Sequence, residues 1–176
     1  MTRLNIGYAS AMRTLIWTAK NKFFAIDVGH IREVCPVVSA QPLPAGPNWM
    51  LGLFDYHGAL IPLLDAGILT GQECIQPQVG SRTLLIEVPM NHDAQTASTA
   101  TFGLRVEQAI GLRDLDESGA WNPTSGLPGF EHLREVLNIP EGRVQVFDAT
   151  RIAIQHQLLL QGASAVATSD PRRLVS

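Results

Sequence analysis

The chain is short of charge. Its 13 Lys and Arg and 16 Asp and Glu make up 16% of 176 residues and leave a formal net charge of -3, against roughly 25% charged residues in an ordinary soluble domain. A surface with so few ions is either mildly insoluble or partly covered by partners. The charges also form no block of one sign, which argues against nucleic acid, whose tight binding needs clustered Lys and Arg to displace counterions. Long apolar runs are missing too. Trp49 to Phe54 is interrupted by Gly52 and Ala59 to Leu64 by Pro62, far below the roughly 18 apolar residues of a membrane span. The N-terminus mixes Gly, Ser, Arg and Thr and lacks the apolar core of about 7 to 15 residues that marks a secretory signal, so the expected location is the cytoplasm. Cys35 and Cys74 are the two cysteines, no CxxC occurs, and both are expected as free thiols, buried or half-buried. Neither GxGxxG nor GxxxxGK is present, which removes the common phosphate-binding loops.

What remains is a chain with 45% apolar residues, enough for one compact unit with a sizeable core. Most of its pattern has the period of two that marks strands. Leu15, Trp17 and Ala19 alternate with Thr14, Ile16 and Thr18, and after a polar turn at Asn21 and Lys22, Phe24, Ile26 and Val28 share one face. Ile31 to Val38 reads as a further apolar and β-branched stretch, with a bend or bulge in it left open. Gln41 to Asn48 holds Pro42, Pro44, Gly46 and Pro47 and is expected as an extended connection. Its Pro spacing resembles a polyproline ligand, although an internal linker is the plainer reading. Trp49 to Phe54 and Ala59 to Leu64 read as a hairpin around Asp55-Tyr56-His57-Gly58, because Gly58 takes positive φ without steric cost. Ala59 to Leu64 is apolar on both faces, as expected of a strand covered on both sides.

Asp65 is placed to cap a helical turn through Leu69, ended at Gly71. Thr83 to Val88 and Phe102 to Val106 alternate again, with Pro89 to Thr101 expected as a mobile loop between them. Gly119 to Gly129 is a second long loop, followed by short strands Leu133 to Ile139 and Arg143 to Phe147. From Asp148 the period becomes helical, with Ala149, Ile152, Ala153, His156 and Leu160 on one face. Residues 1–13 and the last fourteen, 163–176, are expected as flexible termini.

Nothing assembles a reaction centre. His30 and Cys35 offer a base and a nucleophile without a third, orienting member. His30, Cys35, His57 and Cys74 match no spacing of paired zinc ligands. No cofactor or metal is expected, and Asp65 and Asp148 read as caps at strand ends and not as general acids.

An internal repeat orders these elements. Phe24, Ile26, Val28, Ile31 and Val34 have the spacing of Phe102, Leu104, Val106, Ala109 and Leu112. Each unit is followed by a hairpin glycine, an apolar strand and an aspartate: Gly58 and Asp65, then Gly142 and Asp148, the second strand one residue shorter. Two short β units, each too small to bury its core well alone, are expected to pack together. Many short strands favour small barrels.

Phe24-Ala25-Ile26, Ile31-Arg32-Glu33-Val34, Pro42-Leu43-Pro44, Trp49-Met50-Leu51-Gly52-Leu53 and Gly58 through Asp65 together resemble the signature run of the CheW family of chemotaxis coupling proteins. Leu84 to Val88, Phe102-Gly103-Leu104 and the strand ending at Asp148 are similar as well. The resemblance covers about residues 14–160 and rests on order and spacing. It implies an all-β fold of two five-stranded, SH3-like barrels packed together, with short helices and a C-terminal helix. The barrels are expected at approximately 20–70 and 80–150, with exchange of strands between them left open. It further implies a non-catalytic cytoplasmic adaptor, recruited to membrane-associated receptor arrays. Its implied partners are the cytoplasmic tip of a methyl-accepting chemoreceptor and the regulatory domain of a histidine autokinase. Array or self-association is compatible with the low charge; nucleic acid and membrane insertion are not expected. An accessory adaptor of a type IV pilus or surface-sensing system is the near alternative, and a small β-barrel enzyme or ligand-binding module the distant one.

Carried over residue by residue, the family's partner-binding region falls on Glu33, Gly52, Asp55, Tyr56, His57 and Gly58. The chain departs from the family's Asn-Leu-Arg-Gly turn, with Asp55, Tyr56 and His57 in the first three places. His has fewer donors than Arg and no permanent charge, whereas a Tyr ring can anchor a partner at low entropic cost. The bland readings stay open: Glu33 with Arg32 also suits an ordinary solvated pair, Gly52 a close-packing position, and Asp55 to Gly58 a plain turn.

Overall fold

Alternation of large apolar side chains builds the first hairpin. In the computed structural model, which describes residues 11–91, 97–117, 120 and 132–155, β1 (Ala11–Ala19) and β2 (Lys22–Asp27) pair antiparallel, with Leu15 opposite Ile26 and Trp17 opposite Phe24. Lys20 and Asn21 join them at φ 48° and 63°, the left-handed pair whose twist matches that of the strands. The chain continues through a 3-10 turn (Val28–His30) to β3 (Ile31–Pro36), β4 (Met50–Tyr56), β5 (Ala59–Asp65) and α1 (Ala66–Leu69). The second half repeats this order as β6 (Arg82–Asn91), β7 (Ala97–Val106), β8 (Gln108–Asp116), β9 (Leu133–Ile139), β10 (Gly142–Phe147) and α2 (Ala149–Gln155).

The halves exchange hairpins. One five-stranded sheet runs β8-β1-β2-β10-β9 and the other β3-β6-β7-β5-β4, so each contains the first hairpin of one half and the last three strands of the other. The joints are parallel: Val144 to Val146 against Phe23 to Ala25, and Leu63 to Asp65 against Gly103 to Arg105. The second sheet is thus one contiguous stretch, β3 to β7 (residues 31–106), whereas the first is assembled from both ends of the described chain, β1 and β2 with β8, β9 and β10.

Alternation then sorts side chains into three cores. Ile16, Ala25, Val144 and Val146 fill one barrel, and Phe54, Ile61, Leu63 and Leu85 fill the other. The opposite faces of the same strands, with Trp17, Phe24, Ile26, Leu64, Leu84, Ile86, Phe102 and Leu104, form the largest core, capped by Leu69 of α1 and by Ile152 of α2. Trp17 stacks on Phe24 at 4.5 Å and meets Phe147 edge-on at 5.6 Å.

Asp65, wholly buried, accepts the Ile68 amide at 3.0 Å and the Ile75 amide at 3.0 Å and capping α1, while Asp148 accepts the Arg151 amide at 3.0 Å at the start of α2. Both are caps. The two thiols are free, with Cys35 buried and Cys74 half-buried.

Several expectations change. Gln41 to Asn48 is not extended throughout. Gln41 pairs with Leu53, but the Gly46 amide then returns to the Leu43 carbonyl (3.2 Å) and the Met50 amide to the Pro47 carbonyl (3.0 Å). The φ that Pro fixes suits tight turns as well as extended chain. Pro89 to Thr101 is largely strand: β6 reaches Asn91 and β7 begins at Ala97, with Pro89 opposite Thr99. Pro is tolerated there because β3 pairs with β6 only as far as Ile86, leaving the other side of Pro89 without a ladder. Residues 11–13 belong to β1. The loop at 121–129, His156, Leu160 and residues 1–10 and 163–176 lie outside the described residues.

Candidate docking site

The β4–β5 hairpin brings most of the family-matched positions to one rim of its barrel. Tyr56 and Ala59 close a two-residue turn in which His57 has φ 52° and Gly58 φ 85°, a type I′ geometry for which Asn-Gly or Asp-Gly is usual. The Gly58 amide donates to Asp55 Oδ1 at 2.9 Å, which fixes the turn and explains an acceptor at position 55. His57 is exposed, and its ring meets the Tyr56 ring edge-on at 4.4 Å between centroids.

Glu33 arrives from β3, the opposite edge of the same sheet. The Tyr56 hydroxyl donates to Glu33 Oε2 at 2.5 Å, a side-chain link between two strands that do not pair with each other. That hydrogen bond, first among its causes, holds the Glu33 carboxyl below the ordinary carboxylate range. The same bond holds the Tyr56 phenol above its ordinary value. The surface therefore keeps a carboxylate and a protonated phenol across neutral pH.

Arg32 and Glu87, which the sequence reading placed in no contact set together, complete the cluster. Arg32 Nη1 lies 2.5 Å from Glu87 Oε1 on β6, and the guanidinium carbon sits 5.7 Å from the Tyr56 ring centroid, within cation–π range. Arg32 is thus not merely a solvated partner of Glu33.

Gly52 belongs to the architecture beneath. It is buried at φ 138°, and a Cβ there would stand 2.1 Å from the Gln41 carbonyl oxygen. The Gln41 and Leu53 amides and carbonyls exchange hydrogen bonds at 2.7 and 2.9 Å directly over it. The site residues thus divide into an exposed group, Glu33, Asp55, His57 and Gly58, a half-buried Tyr56 whose ring also packs on the barrel core, and a covered glycine that permits the crossing. Cys35 neighbours Glu33, but burial, then the Glu33 charge, pushes its thiol up, opposite to the direction a nucleophile needs.

The class defined so far is a two-barrel β protein with a polar and aromatic rim on its first-half hairpin. The chain belongs to the CheW-like domain family, whose match runs over residues 13–155. It is 26% identical over 65 residues, 37% of this chain, to a chemotaxis protein CheW of Rhizobium meliloti (strain 1021), and the match spans 42% of that protein, less than half its length. The fold is similar to the crystal structure of the scaffolding protein TtCheW from Thermoanaerobacter tengcongensis, with a TM-score of 0.65 and 16% identity over 79% of this chain and 90% of that one. Among the described residues no helix is long and apolar enough to cross a membrane.

Proposed function

We propose that this protein is a non-catalytic adaptor of a chemosensory array, linking the cytoplasmic tip of a chemoreceptor to the regulatory domain of a histidine autokinase. Family membership supports the adaptor role. The observation that carries the site is the cluster of exposed Glu33 and His57 around half-buried Tyr56 at a two-residue turn, where matched family positions from two strands converge. Its polar groups are engaged with one another in a way that presents a surface and not a reaction centre, as docking requires.

Titrating the purified chain against the kinase regulatory domain and the receptor tip tests the assignment. Binding to both, weakened by Tyr56→Ala with little change in melting temperature, is the expected result. His57→Arg, which restores the family's residue type, is expected to alter affinity while leaving the fold intact. Failure to bind any receptor tip or kinase regulatory domain of the same cell would remove the adaptor reading, and identical binding by His57→Arg would remove His57 from the contact set.

A further inference from the structure

Consecutive residues of a regular strand point to opposite faces, yet Arg32 and Glu33 both reach Tyr56. The register explains it. Ile31 faces Ile86 and Glu33 faces Leu85, so β3 spends two steps where β6 spends one, and Arg32 is the extra residue of a bulge. Bulges re-aim side chains and recur beside functional sites. The second half has the same irregularity at the repeat-equivalent place: Ala109 faces Trp17 and Gly111 faces Ile16, leaving Ile110 as the extra residue. There the bulge carries an exposed apolar side chain followed by glycine. The scaffold supplies the bulge twice, but only the first copy puts a cation and a carboxylate on it.

We infer that Arg32, anchored by Glu87, is the positioning residue of the docking rim: it fixes the Tyr56 ring, and through it the Tyr56–Glu33 hydrogen bond, before a partner arrives. The inference rests on the docking function proposed above. Glu87 holds Arg32 from β6, Arg32 lies over the Tyr56 ring on β4, and Tyr56 donates to Glu33 on β3, so a single chain of contacts ties three strands. A ring held by a cation and by its own hydroxyl loses little freedom on binding, which lowers the entropic cost of contact.

The chain has two tyrosines, Tyr8 and Tyr56, so tyrosine labelled at Cζ with carbon-13 gives two NMR signals, and Tyr56→Phe assigns the one that reports Tyr56. Glu33 raises the Tyr56 phenol and Arg32 lowers it, which makes the sign of the change diagnostic. If Arg32 positions the ring, Arg32→Gln frees it from Glu33 and the Tyr56 titration moves down toward the ordinary tyrosine range. If Arg32 acts by charge alone, the titration moves up. With the downward shift, affinity for the kinase regulatory domain is expected to fall about threefold to tenfold in both Arg32→Gln and Glu87→Gln, with unchanged melting. Arg32→Lys, which keeps a cation, is expected to recover part of the loss. An upward or absent shift, or Lys no better than Gln, overturns the inference. If the wild-type chain binds neither partner, the docking reading fails on its own, and the Tyr56 titration still decides whether Arg32 positions the ring.

Discussion

Gly52→Ala separates the fold's demand at this position from any contact with a partner. The added methyl meets three backbone atoms, the Gln41 oxygen at 2.1 Å, the Gln41 carbonyl carbon at 2.5 Å and the Pro42 nitrogen at 2.9 Å. None is the tip of a flexible side chain, so the crossing segment itself has to move. Movement breaks the two Gln41–Leu53 hydrogen bonds, worth about 1 kcal/mol each. The φ of 138° adds strain of about 1 to 3 kcal/mol for a residue with a Cβ. The sum, about 3 to 5 kcal/mol, is a large share of the roughly 5 to 15 kcal/mol that stabilises a domain.

Gly58→Ala is the control. Its φ is also positive, 85°, but a Cβ there meets nothing within 4 Å, leaving a conformational cost of about 1 to 2 kcal/mol. At about 2 to 4 °C per kcal/mol for a chain of this size, thermal unfolding by circular dichroism should fall by about 6 to 20 °C for Gly52→Ala and about 2 to 8 °C for Gly58→Ala. Urea midpoints should follow the same order with unchanged slopes. Equal melting temperatures for the two variants would refute the close-approach reasoning. Loss of partner binding by Gly52→Ala at a temperature where it remains fully folded would return Gly52 to the contact surface.

Three further outcomes follow from the same geometry. Asp65→Ala removes the cap of α1 and leaves the Ile68 and Ile75 amides without their acceptor; a loss of about 2 to 4 kcal/mol in urea unfolding is expected. His57→Asn relieves a β-carbon-bearing ring at φ 52° with a residue that tolerates this region, and should raise stability by about 0.5 kcal/mol, measured by the same unfolding curves. The Tyr56–Glu33 bond should have a wide pH window. Because the folded pKa of Glu33 is lowered, its contribution is present above the ordinary glutamate range and is lost as pH falls through the lowered value. Because that of Tyr56 is raised, its contribution is present below the ordinary tyrosine range and is lost as pH rises through the raised value; ultraviolet titration of the phenols should show one of the two ionising late, and Glu33→Gln should abolish the delay.

Much of the fold was legible because alternation is a local signal. Phe24 and Ile26, Phe102 and Leu104, and Val144 and Val146 are all buried, as their period of two required. Asp65 was readable as a cap from its place between an apolar strand and a short helical turn. Partner choice between strands is not local, and nothing in β1 or β6 states that it pairs into the other half's sheet. β8 escaped notice as a full strand because it is a sheet edge, with Gln108, Ile110, Leu112, Asp114 and Asp116 exposed and no clean apolar face. The Arg32–Tyr56 contact was invisible for a related reason, since strict alternation sends Arg32 away from Glu33 and only a bulge reverses it. Gly58 and Gly142 are also not equivalent: Ala59 pairs with Tyr56 and Gly142 with Ile139, so Gly142 opens its strand where Ala59 does, which accounts for the missing residue in the second repeat.

The repeat also separates what the scaffold needs from what the first half adds. In the second half the turn of the β9–β10 hairpin is Pro140-Glu141, and Glu141 makes a bidentate pair with Arg113 of β8 at 2.5 and 2.7 Å. That is the counterpart of Tyr56 reaching Glu33: in each barrel, a side chain at a hairpin tip clasps the far edge strand. Each barrel thus carries a polar clasp, but the clasp need not be aromatic, since a bidentate Arg–Glu fork takes its place in the second half. The features with no counterpart across the repeat are the Tyr56 ring, the His57 ring set against it, and the bulged Arg32 above. These are what a partner can distinguish between two otherwise matching rims, and they favour the first-half hairpin for the docking proposed above.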